Sequence, residues 1–209
     1  MKKVALFDLD GVLIDTESAY TTFWKDMGEE YFPDMPEFVS QIKGSSLLDM
    51  FARYWPNQPE EQERIQQRLD RYEQQMTYTL FDGALRLVDA LRERGVRTAI
   101  VTSSNKKKME QVYRQLPTLC DHFERVFTAE DAPKAKPAPD LYLAAARQMG
   151  VDPEDCAVFE DSVNGLNAAR QAGTYVVGLC TSLPPTKVEL LCDELVGDLD
   201  DYYRRHFEA

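Results

Sequence analysis

The chain has 209 residues, of which 44% are hydrophobic and 29% are charged. These proportions are typical of a globular protein and exclude a disordered or fibrous chain. The net charge of -12 would repel a nucleic-acid backbone and an anionic membrane surface. We therefore expect neither nucleic acid nor a membrane as a partner.

Short runs of β-branched and aromatic residues recur along the chain, with helical patterns between most of them. The runs are Val4–Phe7, Val96–Val101, Arg125–Phe127, Cys156–Phe159 and Tyr175–Leu179. Strands that alternate with helices are typical of a parallel sheet that is covered by helices. The sequence therefore predicts an α/β fold.

About ninety residues separate the first two predicted strands, far more than a crossover between parallel strands needs. Within them, large apolar residues recur at helical spacing, at Tyr20, Phe23, Trp24 and Met27 and at Ile65, Leu69, Tyr72 and Met76. We predict a small helical domain over residues 15–80, inserted into a core domain of residues 1–14 and 81–209.

Polar residues follow the predicted strands where each one ends. They are Asp8 and Asp10, Thr102 to Ser104, Lys136, and Glu160 and Asp161. Ligands of open parallel sheets bind beyond the carboxyl ends of the strands, so these side chains form the predicted site. Each segment alone also has an ordinary interpretation, as a turn, a helix cap or a solvated lysine.

Four carboxylates at one end of a sheet repel one another unless a cation compensates them. The segments offer oxygen donors and contain no histidine or cysteine, which favours Mg²⁺ over zinc or copper. Elsewhere the four cysteines, Cys120, Cys156, Cys180 and Cys192, show no C-x-x-C pair. We expect reduced thiols, no zinc site and a cytoplasmic location.

Four segments together resemble the motifs of the haloacid dehalogenase superfamily. They are Asp8–Thr16, Ile100–Ser103, Lys136–Asp140 and Val158–Ser162. The resemblance implies a Rossmann-like core with an inserted helical cap, as in the β-phosphoglucomutases and related sugar-phosphate phosphatases. It also implies a magnesium-dependent enzyme that acts on a small phosphorylated metabolite.

The resemblance implies a role for each matching position. Asp8 would be the nucleophile that forms an aspartyl-phosphate, ionised at neutral pH because the ordinary pKa of aspartate is about 3.9. Asp10 would act as general acid and base. The metal ligands would be the Asp8 side chain, the Asp10 backbone carbonyl and Asp161, with Glu160 bound to the metal or beside it.

The phosphoryl group would be held by residues of the second and third motifs. The Thr102 hydroxyl and the Ser103 amide would bind its oxygens, and Lys136, rather than Lys134, would neutralise their charge. In the cap, the segment Lys43-Gly44-Ser45-Ser46 resembles the substrate-specificity loop of the β-phosphoglucomutases. Lys43 would therefore contact the substrate. Phosphonatases of this superfamily use a cap lysine as a Schiff base, and we do not favour that role for Lys43.

Two departures bear on the reaction. Tyr20 stands where these mutases have a histidine, and Leu47 stands where they have an arginine for the distal phosphate. We therefore expect a phosphatase that acts on a small organic phosphate such as a hexose phosphate, with a β-phosphoglucomutase-type mutase as the alternative. A third hypothesis is a non-catalytic module that binds a phosphorylated metabolite. Asp10 argues against dehalogenation.

Two further features lie outside the predicted site. The lysine run Lys106–Lys108 is interpreted as a solvated helix face. The segment Asp198–Tyr203 is predicted to be a terminal helix. The sequence leaves the oligomeric state open, and a monomer is compatible with it.

Overall fold

The computed structural model describes residues 2–43, 45 and 47–208. In these ranges the strands are β1 (Val4–Phe7), β2 (Ile14–Asp15), β3 (Thr79–Leu80), β4 (Arg97–Val101), β5 (Arg125–Phe127), β6 (Cys156–Glu160), β7 (Tyr175–Leu179) and β8 (Glu194–Val196). Six of them form a sheet in the order β5-β4-β1-β6-β7-β8, and every pair in it is parallel. The predicted α/β, Rossmann-like fold is confirmed.

The helices follow the strands in the described part of the chain. They are α1 (Glu17–Tyr31), α2 (Phe38–Ile42), α3 (Leu47–Tyr54), α4 (Pro59–Glu73), α5 (Ala84–Glu93), α6 (Lys106–Gln115), α7 (Asp140–Gln148), α8 (Val163–Ala172), α9 (Pro185–Val188) and α10 (Leu199–Phe207). None of these helices combines the length and the apolar character that crossing a lipid bilayer demands.

The central strands are buried on both faces. All four residues of β1 are buried, as are all five of β6. Strands of a parallel sheet read as continuous hydrophobic runs because helices cover both faces, which is why the sequence predicted them well. Apolar side chains of α7 and α8 pack on β1, β4 and β6 in one core cluster.

Strand β8 and the β2–β3 pair were not predicted from the sequence. β8 is three residues long and only Val196 is fully buried, so it carries little hydrophobic signal. β2 and β3 are antiparallel, and Ile14 pairs with Leu80. These pairings depend on partners far away in the sequence.

The chain divides into two compact units, residues 1–15 with 78–209 and residues 16–77. The chain leaves the first unit after β2 and is back in it at β3, and these two short strands pair with each other within that unit. The second unit is helical and has its own aromatic core, centred on Trp55 with Phe23, Met27, Ile65 and Leu69. Met76, which the pattern placed on a helix face, lies beyond the end of α4.

Candidate active site

The strand order brings the predicted site residues to one edge of the sheet. β1 lies between β4 and β6, with Phe7 paired to Ile100 and to Phe159. Asp8 therefore follows β1 between the ends of its two neighbours, and its amide donates to the Phe159 carbonyl at 3.0 Å. Because parallel strands all end at this edge, the residues that follow them converge.

Lys136 reaches this edge from the loop between β5 and α7. Its Nζ lies 3.2 Å from Asp8 Oδ1 and 2.6 Å from Glu160 Oε1. It also donates to the Val101 carbonyl at 3.1 Å. Burial alone would lower the pKa of Lys136, but Asp8 and Glu160 outweigh that effect and raise it, so the ammonium stays charged. Lys134 is exposed.

Glu160 is fully buried, and donors from the chain surround its carboxylate. Oε1 accepts from Lys136 and from the Tyr142 hydroxyl at 2.8 Å. Oε2 accepts from the amides of Asp161 at 3.1 Å and Ser162 at 3.3 Å. Buried charges persist when they are paired and hydrogen-bonded, and Glu160 meets that condition.

Asp8 and Asp161 are satisfied less completely. Among the described residues, Asp8 Oδ1 and Asp161 Oδ1 are the buried side-chain oxygens with no hydrogen-bond partner. Lys136 lies near Asp8 Oδ1, but the contact is an ion pair without hydrogen-bond geometry. One oxygen each of Asp8, Glu160 and Asp161 lies within 4.8 Å of the others. Two orphaned carboxylate oxygens in such a group fit a hard divalent cation.

Burial raises the pKa values of the Asp8 and Asp161 carboxyl groups. Burial, the largest cause, raises the pKa of Asp8 to about 7; Lys136 opposes the shift, and Glu160 and Asp10 add to it. Burial and Glu160 raise the pKa of Asp161 well above its usual range. Because burial disfavours the charge, Asp8 in these surroundings is only partly ionised at neutral pH, whereas its ordinary pKa implied full ionisation.

Asp10 lies in a more open position, with its side chain 26% exposed. Its Oδ2 accepts from the Ser104 hydroxyl at 2.8 Å, and its Oδ1 lies 2.7 Å from Lys108 Nζ. The structure thus gives the two acids of the first motif different surroundings, one buried in the cluster and one at its rim.

The predicted phosphate-binding residues divide between the two units. Thr102 is buried after β4, and its Oγ1 accepts from the Ser104 amide at 2.9 Å. Ser103 is exposed beside it. Lys43 belongs to the helical unit, where it pairs with Glu17 at 2.8 Å. Gly44 and Ser46 of the predicted specificity loop lie outside the described residues.

The helical unit contains a cavity of about 280 Å³. Its lining includes the aromatic rings of Tyr20 and Trp24 and the carboxylates of Glu17 and Glu73, together with Lys43. The Tyr20 hydroxyl donates to Glu73 at 2.7 Å. The cavity is therefore mixed in character, with apolar walls and paired polar groups.

Two glycines allow the carboxylates to be packed so closely. Gly11 has a φ of +75°, and a Cβ there would overlap the Asp161 carboxylate. A Cβ at Gly165, in α8, would overlap the Glu160 carboxylate. Ser162 caps this helix, accepting from the Gly165 amide at 3.0 Å, and so fixes the first turn of α8 beside Glu160.

Sequence reasoning missed three contacts of the site. Tyr142 had no signal beyond its place in a helix, and the Ser182 hydroxyl, which donates to Asp161, lies outside every motif. Lys108 did have a signal, the lysine run, but the run was interpreted as solvated. That interpretation is wrong for Lys108, which is buried against Asp10, whereas Lys106 and Lys107 are exposed.

Several known proteins resemble this chain in sequence. Residues 2–173 match the family described as haloacid dehalogenase-like hydrolase. Hexitol phosphatase B of Escherichia coli is 30% identical over 177 residues, 80% of this chain and 79% of that protein. The β-phosphoglucomutase of Bacillus subtilis is 27% identical over 202 residues, 90% of this chain and 88% of the relative.

A solved structure shows the same fold. The HAD hydrolase of family IA, variant 3, from Entamoeba histolytica has a TM-score of 0.80 at 22% identity and covers 95% of this chain and 94% of its own. The family match and the phosphatase relatives confirm the prediction of a phosphohydrolase. The chain belongs to the haloacid dehalogenase-like hydrolases.

Proposed function

We propose that the protein is a Mg²⁺-dependent phosphatase that hydrolyses a small organic phosphate monoester through an aspartyl-phosphate on Asp8. The observation that carries this proposal is that Asp8 Oδ1 and Asp161 Oδ1 have no hydrogen-bond partner among the described residues, while the buried ammonium of Lys136 lies 3.2 Å from Asp8 Oδ1. A nucleophilic carboxylate, an oxygen site for a hard cation and a fixed positive charge are what phosphoryl transfer needs.

The reaction has two steps. A carboxylate oxygen of Asp8 attacks phosphorus, the bond to the leaving alcohol breaks, and Asp10 donates a proton to the departing oxygen. Asp10 then takes a proton from water, the water oxygen attacks phosphorus, and the bond to Asp8 breaks to release inorganic phosphate. The side chain of Asp10 is partly exposed, which is compatible with this exchange.

The other residues of the site would bind the metal ion and the phosphoryl group. The Asp8 and Asp161 side chains and the Asp10 carbonyl would hold Mg²⁺, with Glu160 bound to it or beside it. The ion supplies charge neutralisation for the phosphoryl oxygens and keeps Asp8 ionised. Lys136 adds a second positive charge for those oxygens. Thr102 and Ser103 are proposed to position the phosphoryl group.

The helical unit supports a substrate with a single phosphate. Lys43 is paired with Glu17 at 2.8 Å, so its charge is already compensated. Leu47 stands where the related mutases use an arginine, and an arginine is well suited to grip a second phosphate. Hexose and hexitol phosphates are therefore the first compounds to test, and Lys43 is proposed to contact the substrate.

A sugar phosphomutase remains the second candidate, because a β-phosphoglucomutase matches 90% of this chain. The two reactions are distinguished by supplying glucose 1-phosphate with a catalytic amount of glucose 1,6-bisphosphate and Mg²⁺, then measuring inorganic phosphate and glucose 6-phosphate. We expect phosphate release to dominate. Rapid isomerisation with little phosphate release would favour the mutase.

Asp8→Asn tests the catalytic proposal itself. A screen of phosphorylated metabolites, with and without Mg²⁺, provides the substrate, and p-nitrophenyl phosphate serves as a generic one. We expect turnover of both to fall at least about 1000-fold, because an amide cannot form the covalent intermediate. Unchanged hydrolysis by Asp8→Asn would contradict the role of Asp8 as nucleophile, and a wild type that hydrolyses none of the compounds would favour a non-catalytic binding module.

Location in the cytoplasm is proposed as well. All four cysteines lie in the described ranges, and each is a free thiol. Reduced thiols are usual in a reducing compartment. Labelling of the protein in intact cells with a thiol reagent would test this part of the proposal.

A further inference from the structure

The lysine run at the start of α6 contains one residue that behaves unlike its neighbours. Lys106 and Lys107 are exposed, but only 7% of the Lys108 side chain is accessible. Lys108 lies in the first turn of α6, where the positive end of the helix dipole disfavours a cation. Burial of an ammonium is also costly unless an anion compensates it.

The compensating anion is the carboxylate of Asp10, 98 positions away in the sequence, whose Oδ1 lies 2.7 Å from Lys108 Nζ. The turn that carries Lys108 is itself fixed, because Asn105 Oδ1 accepts from the Lys108 amide at 2.9 Å. Helical side chains extend toward the amino end of their helix, which directs this lysine back to the end of the sheet.

Two donors hold the two oxygens of Asp10 separately. Lys108 contacts Oδ1, and the Ser104 hydroxyl donates to Oδ2 at 2.8 Å. Separate donors on both oxygens restrict rotation of the carboxylate, while 26% of the side chain stays accessible. The Asp10 carboxylate is therefore held in one orientation and is still accessible to solvent.

We propose that Lys108 is a positioning residue that, together with Ser104, orients Asp10 for proton transfer to the leaving oxygen and from the attacking water. The inference rests on the proposed function, because it requires that Asp10 exchange protons with the substrate. Proton transfer depends on alignment of donor and acceptor, so a freely rotating carboxylate is a poorer catalyst. Lys108 itself neither gives nor takes a proton in this scheme.

The test compares Lys108→Met with Lys106→Met, the same substitution at an exposed lysine of the same helix. Each variant is assayed with the best alkyl phosphate from the screen and with p-nitrophenyl phosphate. A nitrophenolate leaves without a proton, whereas an alkoxide does not. We expect Lys108→Met to lower kcat/KM for the alkyl phosphate about 100-fold, with a much smaller loss for the aryl phosphate. The ratio kcat/KM reports the first step, in which the leaving oxygen needs a proton, whereas hydrolysis of the aspartyl-phosphate is the same for both substrates.

Further variants keep the test independent of folding. Lys108→Arg, which retains the charge, should recover part of the loss, and Ser104→Ala should show the same dependence on the leaving group. Calorimetric titration with Mg²⁺ alone should give the wild-type Kd for Lys108→Met, because the proposed contribution of Asp10 to the metal is its backbone carbonyl. Lys106→Met should match the wild type in every assay.

Equal losses of kcat/KM on both substrates, or no difference between Lys108→Met and Lys106→Met, would overturn the inference. Either result is compatible with the proposed function if the wild type hydrolyses both substrates and Asp8→Asn hydrolyses neither. If the wild type hydrolyses neither substrate, or if Asp8→Asn stays active, the proposed function and the inference fail together.

Discussion

Neighbouring carboxylates of this site have different hydrogen-bond partners, and for that reason we assign them different roles. Donors from the chain cover both oxygens of Glu160, whereas Asp8 keeps an oxygen without a hydrogen bond from any described residue. Burial and neighbouring carboxylates raise the pKa of the Tyr142 hydroxyl well above its usual value, so it stays a donor. Glu160 is therefore suited to hold Lys136 beside Asp8.

Tyr142→Phe tests this arrangement. The substitution removes the donor to Glu160 Oε1 and leaves the ring that packs beside Lys136. A buried hydrogen bond to a charged group is worth about 1.5–3 kcal/mol, so we expect the free energy of unfolding to fall by that amount. We also expect kcat to fall while KM changes little, because Lys136 loses alignment.

Tyr175→Phe is the matched control, since the Tyr175 hydroxyl also donates to a glutamate, Glu194, but away from the site. Denaturant unfolding measures the free energy of unfolding, and steady-state kinetics measure kcat and KM. If Tyr142→Phe and Tyr175→Phe have the same effect on kcat, the Tyr142 hydroxyl has no part in positioning Lys136.

At the scale of elements, the site depends on how closely α8 approaches the end of β6. Gly165 is the point of contact, because it has no side chain to collide with Glu160. A glycine within a helix lowers intrinsic helix stability by about 1 kcal/mol relative to alanine. The Glu160 carboxylate occupies the space that a side chain at Gly165 would need, and this explains the glycine in the first turn of α8.

Gly165→Ala should therefore be destabilising, although alanine is the better helix former. Displacement of a well-packed group costs about 1–3 kcal/mol, which exceeds the gain in helix propensity. We expect a lower Tm and weaker Mg²⁺ binding, measured by calorimetry. Asn164→Ala, the preceding position of the helix, is the control and should retain Mg²⁺ binding. A more stable Gly165→Ala protein would show that the helix can shift without cost.

At the scale of the whole molecule, we expect the acidic cluster to make stability depend on pH and on a divalent cation. In the unfolded chain Asp8 ionises near its ordinary pKa of 3.8, and in the metal-free folded protein it ionises at about 7. Between these values the folded state binds more protons, so this contribution to stability is present below pH 4 and is lost as the pH rises to about 7. A cation beside the carboxylate reverses the trend.

We expect metal-free wild-type protein to lose stability relative to Asp8→Asn between pH 4 and pH 7, by at least about 1 kcal/mol. Mg²⁺ should stabilise the wild type more at pH 8 than at pH 5, because it binds the ionised carboxylates of the folded state. Thermal unfolding in EDTA, in MgCl₂ and in NaCl of equal ionic strength measures both effects. A stability difference between wild type and Asp8→Asn that does not vary with pH would contradict the shifted pKa.

The sequence by itself determined the core strands and the residue types at their ends. Val4–Phe7 and Cys156–Phe159 are runs of apolar residues because helices cover both faces of the sheet, and such runs need no knowledge of distant partners. Since parallel strands end at one edge, the convergence of Asp8, Lys136 and Glu160 also followed from their positions along the chain.

Only the tertiary structure decided how deeply each side chain at that edge is buried and which partners it contacts. The raised pKa of Asp8 arises from burial, and burial depends on how the whole core closes around it. The role assigned to Lys108 depends on a contact between residues 98 positions apart, and a lysine run looks the same whether its members are solvated or buried. The strand-end pattern predicted the site residues, and long-range packing determined which of their oxygens lack a hydrogen bond from the described residues.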